Sequence, residues 1–569
     1  MRMNDIEAHY GSDFIVQLLK DSGIRYVAMN PGATIRGIHD TLVNDPEAPE
    51  LIMCLHETVA VSVAQGYAKA AGEPMAVLLH NVVGLQNASM AIFNAWCDRA
   101  PVLLIGGTGP KSTPSRRPWI DWIHTASVQA NIIRDFVKWD DEPHDIYSVE
   151  ESFARALTTL NAAPNGPVYL CYDVALQEDP LPQDFISHGL DNYVTPSPPA
   201  ATSKDLDWIE HKLREAQNPV ILAGYTSETE EAFSNLQTLA EALGAPVIDT
   251  GVRHAFPSTH DLAGLHIPEL LTQADTLLAL DVEDVHSYLD QFSDRSPTLV
   301  NVSLGTLKLR GWAHDYQEMV PGQRHIVAHA DEVVNELVDR FNNEPLQQDT
   351  VVTRREKITT IGRAARQEWV DQAHQDTTED VVSIDRLLFE VARAVEGHDY
   401  VIGGGTNARH EHRYFQLDRF RQYNGWAAGG GLGYGVGGSI GVALAQSEGT
   451  ITIDIQADGD LLYLPSALWT AAHKSLPVLI VVHNNRQYGN TVEHAQNIAE
   501  FRDRDPNLRY VGSGIADPPV DLAQMAQSFG VWAAGPISTP EELRHNLMQA
   551  VEITKSGKPA LLDVLTPGF

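Results

Sequence analysis

The chain has 569 residues, more than one hydrophobic core usually serves, so about two to four domains are expected. With 43% hydrophobic and 20% charged residues it is composed like a globular protein, and no run of about 18 apolar residues is present that would cross a membrane. The formal net charge of −35 repels phosphate backbones and so excludes nucleic acid as a partner.

The N-terminus, MRMNDIEAHYGSDF, has no apolar signal core, which points to the cytoplasm. Three parts follow, each alternating short apolar runs with longer amphipathic stretches, the pattern of a doubly wound parallel sheet. In the first, residues 1–180, the segment 57–71 reads as a helix, and PMAVLLH (74–80), PVLLIGG (101–107) and GPVYLCYD (166–173) read as buried strands. A linker rich in proline and short polar residues, EDPLPQDF to VTPSPPAATS, spans roughly 178–204. In the second part, 204–342, NPVILAG (218–224), a helix over 230–244 and APVIDT (245–250) form a βαβ unit, and TLLALDV (276–282) is a further strand. A charged, helix-compatible connection follows over roughly 343–380. The third part, 380–569, repeats the unit with TITIDIQAD (450–458), a helix over 464–474 and PVLIVVHNN (477–485). The fold class is therefore α/β, three doubly wound parallel-sheet domains. Cys54, Cys97 and Cys171 lack metal-ligand spacing and read as buried thiols.

Residues 457–490, ADGDLLYLPSALWTAAHKSLPVLIVVHNNRQYGN, carry the clearest chemistry. One strand ends at Asp458-Gly459 and the next at Asn484-Asn485, so both ends lie on the sheet edge where ligands of parallel sheets bind. The Asp458 carboxylate and the Asn485 amide oxygen are hard oxygen ligands, suited to Mg²⁺ or Ca²⁺ rather than zinc. The RQYGN loop adds a backbone carbonyl, that of Gln487, and Gly459 lets the backbone approach a phosphate.

Asp-Gly, 24 residues and then Asn-Asn resembles the fingerprint of the thiamine-diphosphate enzymes of the pyruvate decarboxylase and acetolactate synthase superfamily. Residues 466–489 are similar in particular to benzoylformate decarboxylases. The resemblance implies thiamine diphosphate with Mg²⁺ on Asp458, Asn485 and the Gln487 carbonyl, a pyrimidine-binding first domain, a central domain and a diphosphate-binding last domain. Two departures stand out: Ala457 where the family has glycine, and Asp460 where a small hydroxyl residue often helps bind the diphosphate. In AAGGGLGYGVGGSIGVALA (427–445), Gly431 corresponds to a backbone acceptor for the aminopyrimidine and Leu432 to the wedge that bends the cofactor. In GGGTNARH (403–410), Thr406 and Asn407 correspond to diphosphate donors. In the first part, Glu57 stands where the family has its activating glutamate, whose carboxyl group bonds N1′ of the pyrimidine. Sharing a proton with a ring nitrogen suits a dry site.

His80, in VLLHNVVGLQNA, and His260, in FPSTHDLAGL, match active-site histidines of benzoylformate decarboxylases and are expected to move protons to and from the substrate. NPGATIRG (30–37) resembles that group's substrate loop, with Ala33 replacing the serine that meets the substrate carboxylate. In RRPWIDWIHTASVQ (116–129), Trp119 and Trp122 are expected to wall a pocket, with His124 and Thr125 near the family's usual glutamine. Arg116 and Arg117 are expected either to meet an acidic substrate or to be surface charges.

The implied reaction is cleavage beside a carbonyl of a small-molecule substrate, chiefly non-oxidative decarboxylation of a 2-keto acid, with an acetolactate-synthase-like carboligase as the rival. FAD in the central domain would go with that rival, but no motif supports it. A catalytically inactive binding or regulatory homologue is the alternative of another class, and the intact Glu57, Asp458 and Asn485 argue against it. No GxGxxG follows a strand at the spacing a nicotinamide dehydrogenase needs. By resemblance the active sites cross a subunit interface, which implies a homodimer or homotetramer.

Overall fold

The computed structural model of the chain describes residues 8–117, 119–292, 296–305, 322, 324–375, 377–378, 381–425 and 427–568. The first seven residues, half of the stretch expected to lack a signal core, therefore lie outside the described residues. Two compact units emerge: Met1–Pro196 with His398–Gly405 and Ala427–Phe569, and Ser197–Gly397 with Thr406–Trp426.

The first unit contains two sheets. Strands β1 (Tyr26–Met29), β2 (Glu50–Met53), β3 (Met75–Leu79), β4 (Val102–Thr108), β5 (Asp140–Asp141) and β6 (Val168–Asp173) form one, all parallel, in the order β2-β1-β3-β4-β6-β5. Strands β3 and β4 are buried along their whole length, which is why they read as unbroken apolar runs: helices cover both faces of a parallel sheet. The second unit holds the central sheet, β7 (Pro219–Ala223), β8 (Val247–Asp249), β9 (Thr276–Leu280), β10 (Thr298–Val302) and β11 (His325–Ile326), in the order β11-β10-β9-β7-β8. A short ladder of β12 (Thr377–Thr378) and β13 (Val381–Val382) follows the 28-residue helix Gln348–Gln375, where the charged connection was expected. The third sheet, back in the first unit, takes β14 (Tyr400–Gly404), β15 (Ile451–Ala457), β16 (Val478–Asn484), β17 (Trp532–Ile537) and β18 (Ala560–Leu565), in the order β14-β15-β16-β18-β17. All three are parallel-sheet α/β domains, as the alternation of elements predicts.

One expected helix differs. The stretch after β15 turns helical at once, over Asp458–Tyr463, and restarts at Ala467–His473. Pro465, which lacks an amide donor and disfavours helix at Leu464, sits in the break. Cys54 and Cys171 are buried, and burial pushes both thiols up to about 12, which leaves them inert near neutrality. Cys97 is only half-buried. Among the described residues no helix is long and apolar enough to cross a membrane.

The two domains of the first unit share one hydrophobic core, which runs from Val59, Val63 and Tyr67 through Val436 and Ile440 to Ile480 and Leu561. Its seam is a pair of helices, Glu57–Ala71 and Gly435–Leu444, that touch backbone to backbone. A Cβ on Gly66 would lie 2.0 Å from the carbonyl oxygen of Gly438, and one on Gly441 would lie 1.9 Å from that of Val63. Only hydrogen fits at either point. Gly66→Ala and Gly441→Ala should each cost about 1–3 kcal/mol or more in chemical denaturation. Gly166→Ala, whose Cβ would meet only the flexible Lys138 side chain at 3.2 Å, should cost far less.

Candidate active site

Strand register builds the first half of the site. Ala457 at the end of β15 pairs with His483 near the end of β16, so Asp458 and the Asn484-Asn485 pair leave the sheet side by side at its carboxyl edge. Asp458 is 1% exposed, and among the described residues neither carboxylate oxygen finds a hydrogen-bond partner. Burial pushes its pKa up to about 6, against a smaller lowering by the nearby backbone N–H groups of Gly459 and Arg486. An unpartnered buried carboxylate is costly, and a divalent cation is the partner that would remove the cost. The donor set fits Mg²⁺.

The two asparagines divide the work. Asn484 is structural: its Nδ2 donates to Asp563 Oδ1 at 2.8 Å, and its Oδ1 accepts the Arg486 N–H at 3.2 Å. Asn485 is half-buried, and its Oδ1 accepts the Gln487 N–H at 3.1 Å. Arg486 adopts a left-handed φ of 55°, and its carbonyl accepts from Ile515 while Ser513 accepts from Tyr488, so the RQYGN loop is clamped from both sides of Gln487. Gly459 lies against the Tyr488 ring, where a Cβ would come within 2.7 Å of Cε1.

Asp460 turns away from this edge. Its carboxylate accepts the N–H of Gly433 at 2.7 Å and of Gly435 at 3.4 Å, so it organises the glycine-rich loop. Gly433 has a φ of 88°, a backbone conformation that L side chains rarely adopt. The other end of that loop is held by two residues that sequence reasoning missed. Asn94 accepts the Gly431 N–H at 3.0 Å and donates to the Gly431 carbonyl at 3.2 Å, an engagement that leaves that oxygen its second lone pair. Asp98 accepts from Ala428 N at 2.8 Å, from Gln65 and from Lys69. The available signal was two polar residues a turn apart at the end of the apolar helix Asn81–Cys97. Leu432, between these anchors, is 41% exposed.

The second half of the site belongs to the first sheet. Glu57 opens its helix behind His56, whose Nδ1 caps the Thr58 N–H, and is 5% exposed. Its Oε2 accepts from Asn87 Nδ2 at 3.1 Å, and Gly84 leaves room beside it, since a Cβ there would be 3.3 Å from Oε1. His80 follows β3 at the N-cap position of the helix Asn81–Cys97, where its ring makes no capping hydrogen bond. Because β1 and β3 are neighbours, the loop after β1 reaches it: the Thr34 N–H donates to His80 Nδ1 at 3.4 Å, the Thr34 hydroxyl lies 3.1 Å away, and Gly32 sits directly on the ring. Ala33 lies between these two contacts, half-buried. The His124 ring meets His80 edge-on with centroids 5.6 Å apart. Burial and then His124 lower the His80 pKa, while Glu57 and Asp121 pull it back up. The expected residues Glu57, His80, Ala33 and His124 are thus drawn into one neighbourhood.

Other expected residues are placed differently. Trp119 and Trp122 are 71% and 60% exposed, so within the chain they stand in solvent. Arg117 pairs with Glu178 at 2.5 Å, and Arg116 donates to the Lys111 carbonyl. Thr125 spends its hydroxyl on Asp121 O and Gly109 N. Thr406, Asn407 and His260 belong to the second unit. Thr406 is buried and donates its N–H to the fully buried Glu411, whose pKa burial raises to about 7; Asn407 is exposed. Both nitrogens of His260 are engaged locally, Nδ1 by the Leu262 N–H and Nε2 by Glu241 at 3.4 Å.

Models of three domain families match the chain: the thiamine pyrophosphate enzyme N-terminal TPP binding domain over residues 9–129, the central domain over 206–311 and the C-terminal TPP binding domain over 403–564. Benzoylformate decarboxylase of Pseudomonas aeruginosa is 25% identical over 564 residues, covering 97% of this chain and 97% of that protein. The acetolactate synthase large subunit of Haemophilus influenzae is 24% identical over 575 residues, covering 95% and 92%. The solved structure of Rhodococcus jostii RHA1 thiamine diphosphate-dependent 4-hydroxybenzoylformate decarboxylase shares the fold, with a TM-score of 0.77 at 22% identity over 98% of this chain and 99% of that one.

The Asp458 carboxyl has a clear stability signature. Its folded pKa of about 6 lies above the ordinary 3.8, so the metal-free native state binds the proton more tightly than the unfolded chain. Stability of the metal-free protein should then fall as pH rises from about 4 to about 6. Asp458→Asn, which removes the buried charge, should stabilise the metal-free protein by about 1–3 kcal/mol at neutral pH and hardly at all near pH 4. Urea denaturation at the two pH values measures both.

Proposed function

Because the chain belongs to the thiamine pyrophosphate enzymes, we propose that it breaks the carbon–carbon bond beside a carbonyl by non-oxidative decarboxylation of a 2-keto acid. The observation that carries this reading is the pairing of Glu57 with His80, a buried acid beside a histidine that burial keeps neutral, at the carboxyl edge of one sheet. Similarity to a benzoylformate decarboxylase along nearly the whole of both chains supports it.

In this reading Asp458, Asn485 and the Gln487 carbonyl hold Mg²⁺, and Gly459, Thr406 and Asn407 receive the diphosphate. Gly431 and Leu432 take the aminopyrimidine. Asp460 we assign to positioning Gly433 and Gly435 rather than to cofactor contact. Thiamine diphosphate supplies the electron sink for the pair released when the carbon–carbon bond breaks.

The chain supplies proton control. Glu57, steadied by Asn87, is placed to share a proton with the pyrimidine nitrogen N1′. The Thr34 N–H can only donate, so it fixes His80 Nδ1 as an acceptor and leaves the proton of the neutral ring on Nε2. From there it serves the carbon or oxygen that gains negative charge as CO₂ departs. Ala33 offers no hydroxyl beside this histidine, so no side-chain hydroxyl at this position meets the substrate carboxylate. The second reading, an acetolactate-synthase-like carboligase, rests on the comparable similarity to that family and predicts an acyloin in place of an aldehyde. We infer a dimer or tetramer with the cofactor held at the subunit interface.

Incubation with a panel of 2-keto acids, thiamine diphosphate and Mg²⁺ should release CO₂ and an aldehyde. Acyloin as the main product would instead establish the carboligase, and no turnover of any 2-keto acid would exclude both. Glu57→Gln should slow exchange of the cofactor C2 proton by about 10²–10⁴-fold while leaving cofactor binding within a few-fold of wild type. Unchanged exchange would refute its role.

A further inference from the structure

The second unit contains a cluster that none of this chemistry uses. Asp249 ends β8, His254 follows in the next loop, and His412 lies on the short helix Glu411–Tyr414. They are 3%, 4% and 8% exposed, and one ligand atom from each lies within 4.8 Å of the others. Among the described residues, neither ring nitrogen of His254 or of His412 has a hydrogen-bond partner. Two buried imidazoles with unpartnered ring nitrogens, each bringing one of them close to the same carboxylate, need an explanation.

We propose that Asp249, His254 and His412 form a binding site for a divalent transition-metal ion, with Zn²⁺ the best match. Two imidazoles and one carboxylate disfavour Mg²⁺ and Ca²⁺, which take oxygen ligands, and suit zinc and its first-row neighbours. The carboxylate is oriented as outer-shell bonds orient a ligand: Oδ1 accepts the Gly251 N–H at 2.7 Å and Oδ2 the Ala255 N–H at 2.8 Å, which leaves a lone pair on each oxygen. Phe233 packs on His254 and Tyr423 on His412, with centroids 5.5 and 4.5 Å apart, so both rings are held in place. Three protein ligands leave a fourth position, and the adjacent cavity bordered by Asp249, Phe256, Arg366, Trp369 and His412 has space for about one water molecule.

The surrounding charges are mixed, Arg409 opposing a second cation and the acids Asp249 and Glu411 favouring one. Arg409 approaches Asp249 Oδ1 to 4.0 Å and donates to the Asp249 carbonyl at 3.3 Å, and the buried Glu411 carboxyl senses the same guanidinium. His266 is spent on the Arg409 carbonyl at 3.0 Å. Burial lowers the pKa of His254 to about 4 and holds that of His412 well below its ordinary value, so both imidazoles are neutral near pH 7, the state a metal requires. The ion would tie the segment 406–426 to the end of β8, a bond across more than 150 residues of chain between Asp249 and His412.

The test uses the whole protein with thiamine diphosphate and saturating Mg²⁺, stripped with a chelator selective for transition metals and titrated with Co²⁺. An intense visible band of four- or five-coordinate Co²⁺, saturating at one ion per chain and displaced by Zn²⁺, is expected. His254→Gln and His412→Gln should each abolish the band or weaken binding by at least about 100-fold. Asp249→Asn should weaken it as well. A wild-type protein that gives no band, or only the weak band of six-coordinate oxygen-ligated Co²⁺, overturns the proposal without any variant having to fold. So does a band that survives both histidine replacements.

Discussion

The contact of the helix Glu57–Ala71 with the helix Gly435–Leu444 is the constraint on which the first unit depends. At Gly66 and Gly441 the two backbones approach so closely that any side chain would overlap a carbonyl oxygen of the partner. That approach does two things. It fuses the cores of two domains into one, and it fixes Glu57, at the first turn of one helix, relative to the glycine-rich loop that leads into the other. Helix pairs made of small residues gain little from apolar area but much from close packing along their length, and they tolerate no adjustment.

Rigidity on that seam is matched by a system of backbone anchors around it. The glycine-rich loop has no side chains with which to hold itself, so its N–H groups are gathered by acids and an amide from elsewhere: Asp460 takes Gly433 and Gly435, Asn94 takes Gly431, and Asp98 takes Ala428. A buried carboxylate that accepts backbone N–H groups repays part of its desolvation and gives the loop one conformation. Asp458, a neighbour of Asp460 in sequence, finds no full hydrogen bond among the described residues, only nearby backbone N–H groups. The contrast between two acids two residues apart separates the one that builds the site from the one left ready for a cation.

Much of this was legible in the sequence because parallel sheets write themselves as apolar runs. The strands β3, β4, β9 and β16 are largely hydrophobic segments, β15 alternates isoleucines with polar residues, and the residues just past β15 and β16 had to meet at one edge once the strands were parallel neighbours. Glu57 and His80 were singled out through motif context. What escaped reading depends on contacts across the chain. The roles of Asn94 and Asp98 lie in bonds to a loop more than 300 residues away. Asp460 resembled a cofactor ligand because its true partners are backbone N–H groups, which carry no signature in the sequence. His260 looked catalytic from its neighbours in the chain, yet Leu262 and Glu241 engage its two nitrogens. Asp249, His254 and His412 form no spaced motif, because His412 arrives from a different segment.

The glycine seam also bears on how such a protein can be recombined. A chimaera that borrows the N-terminal domain of one relative and the C-terminal domain of another must reproduce hydrogen-for-side-chain matching at Gly66 and Gly441 simultaneously. A single mismatched methyl would hold the two halves apart and open the core they share. The exchangeable cassette is therefore the pair, and the two ends of the gene are tied to inherit together.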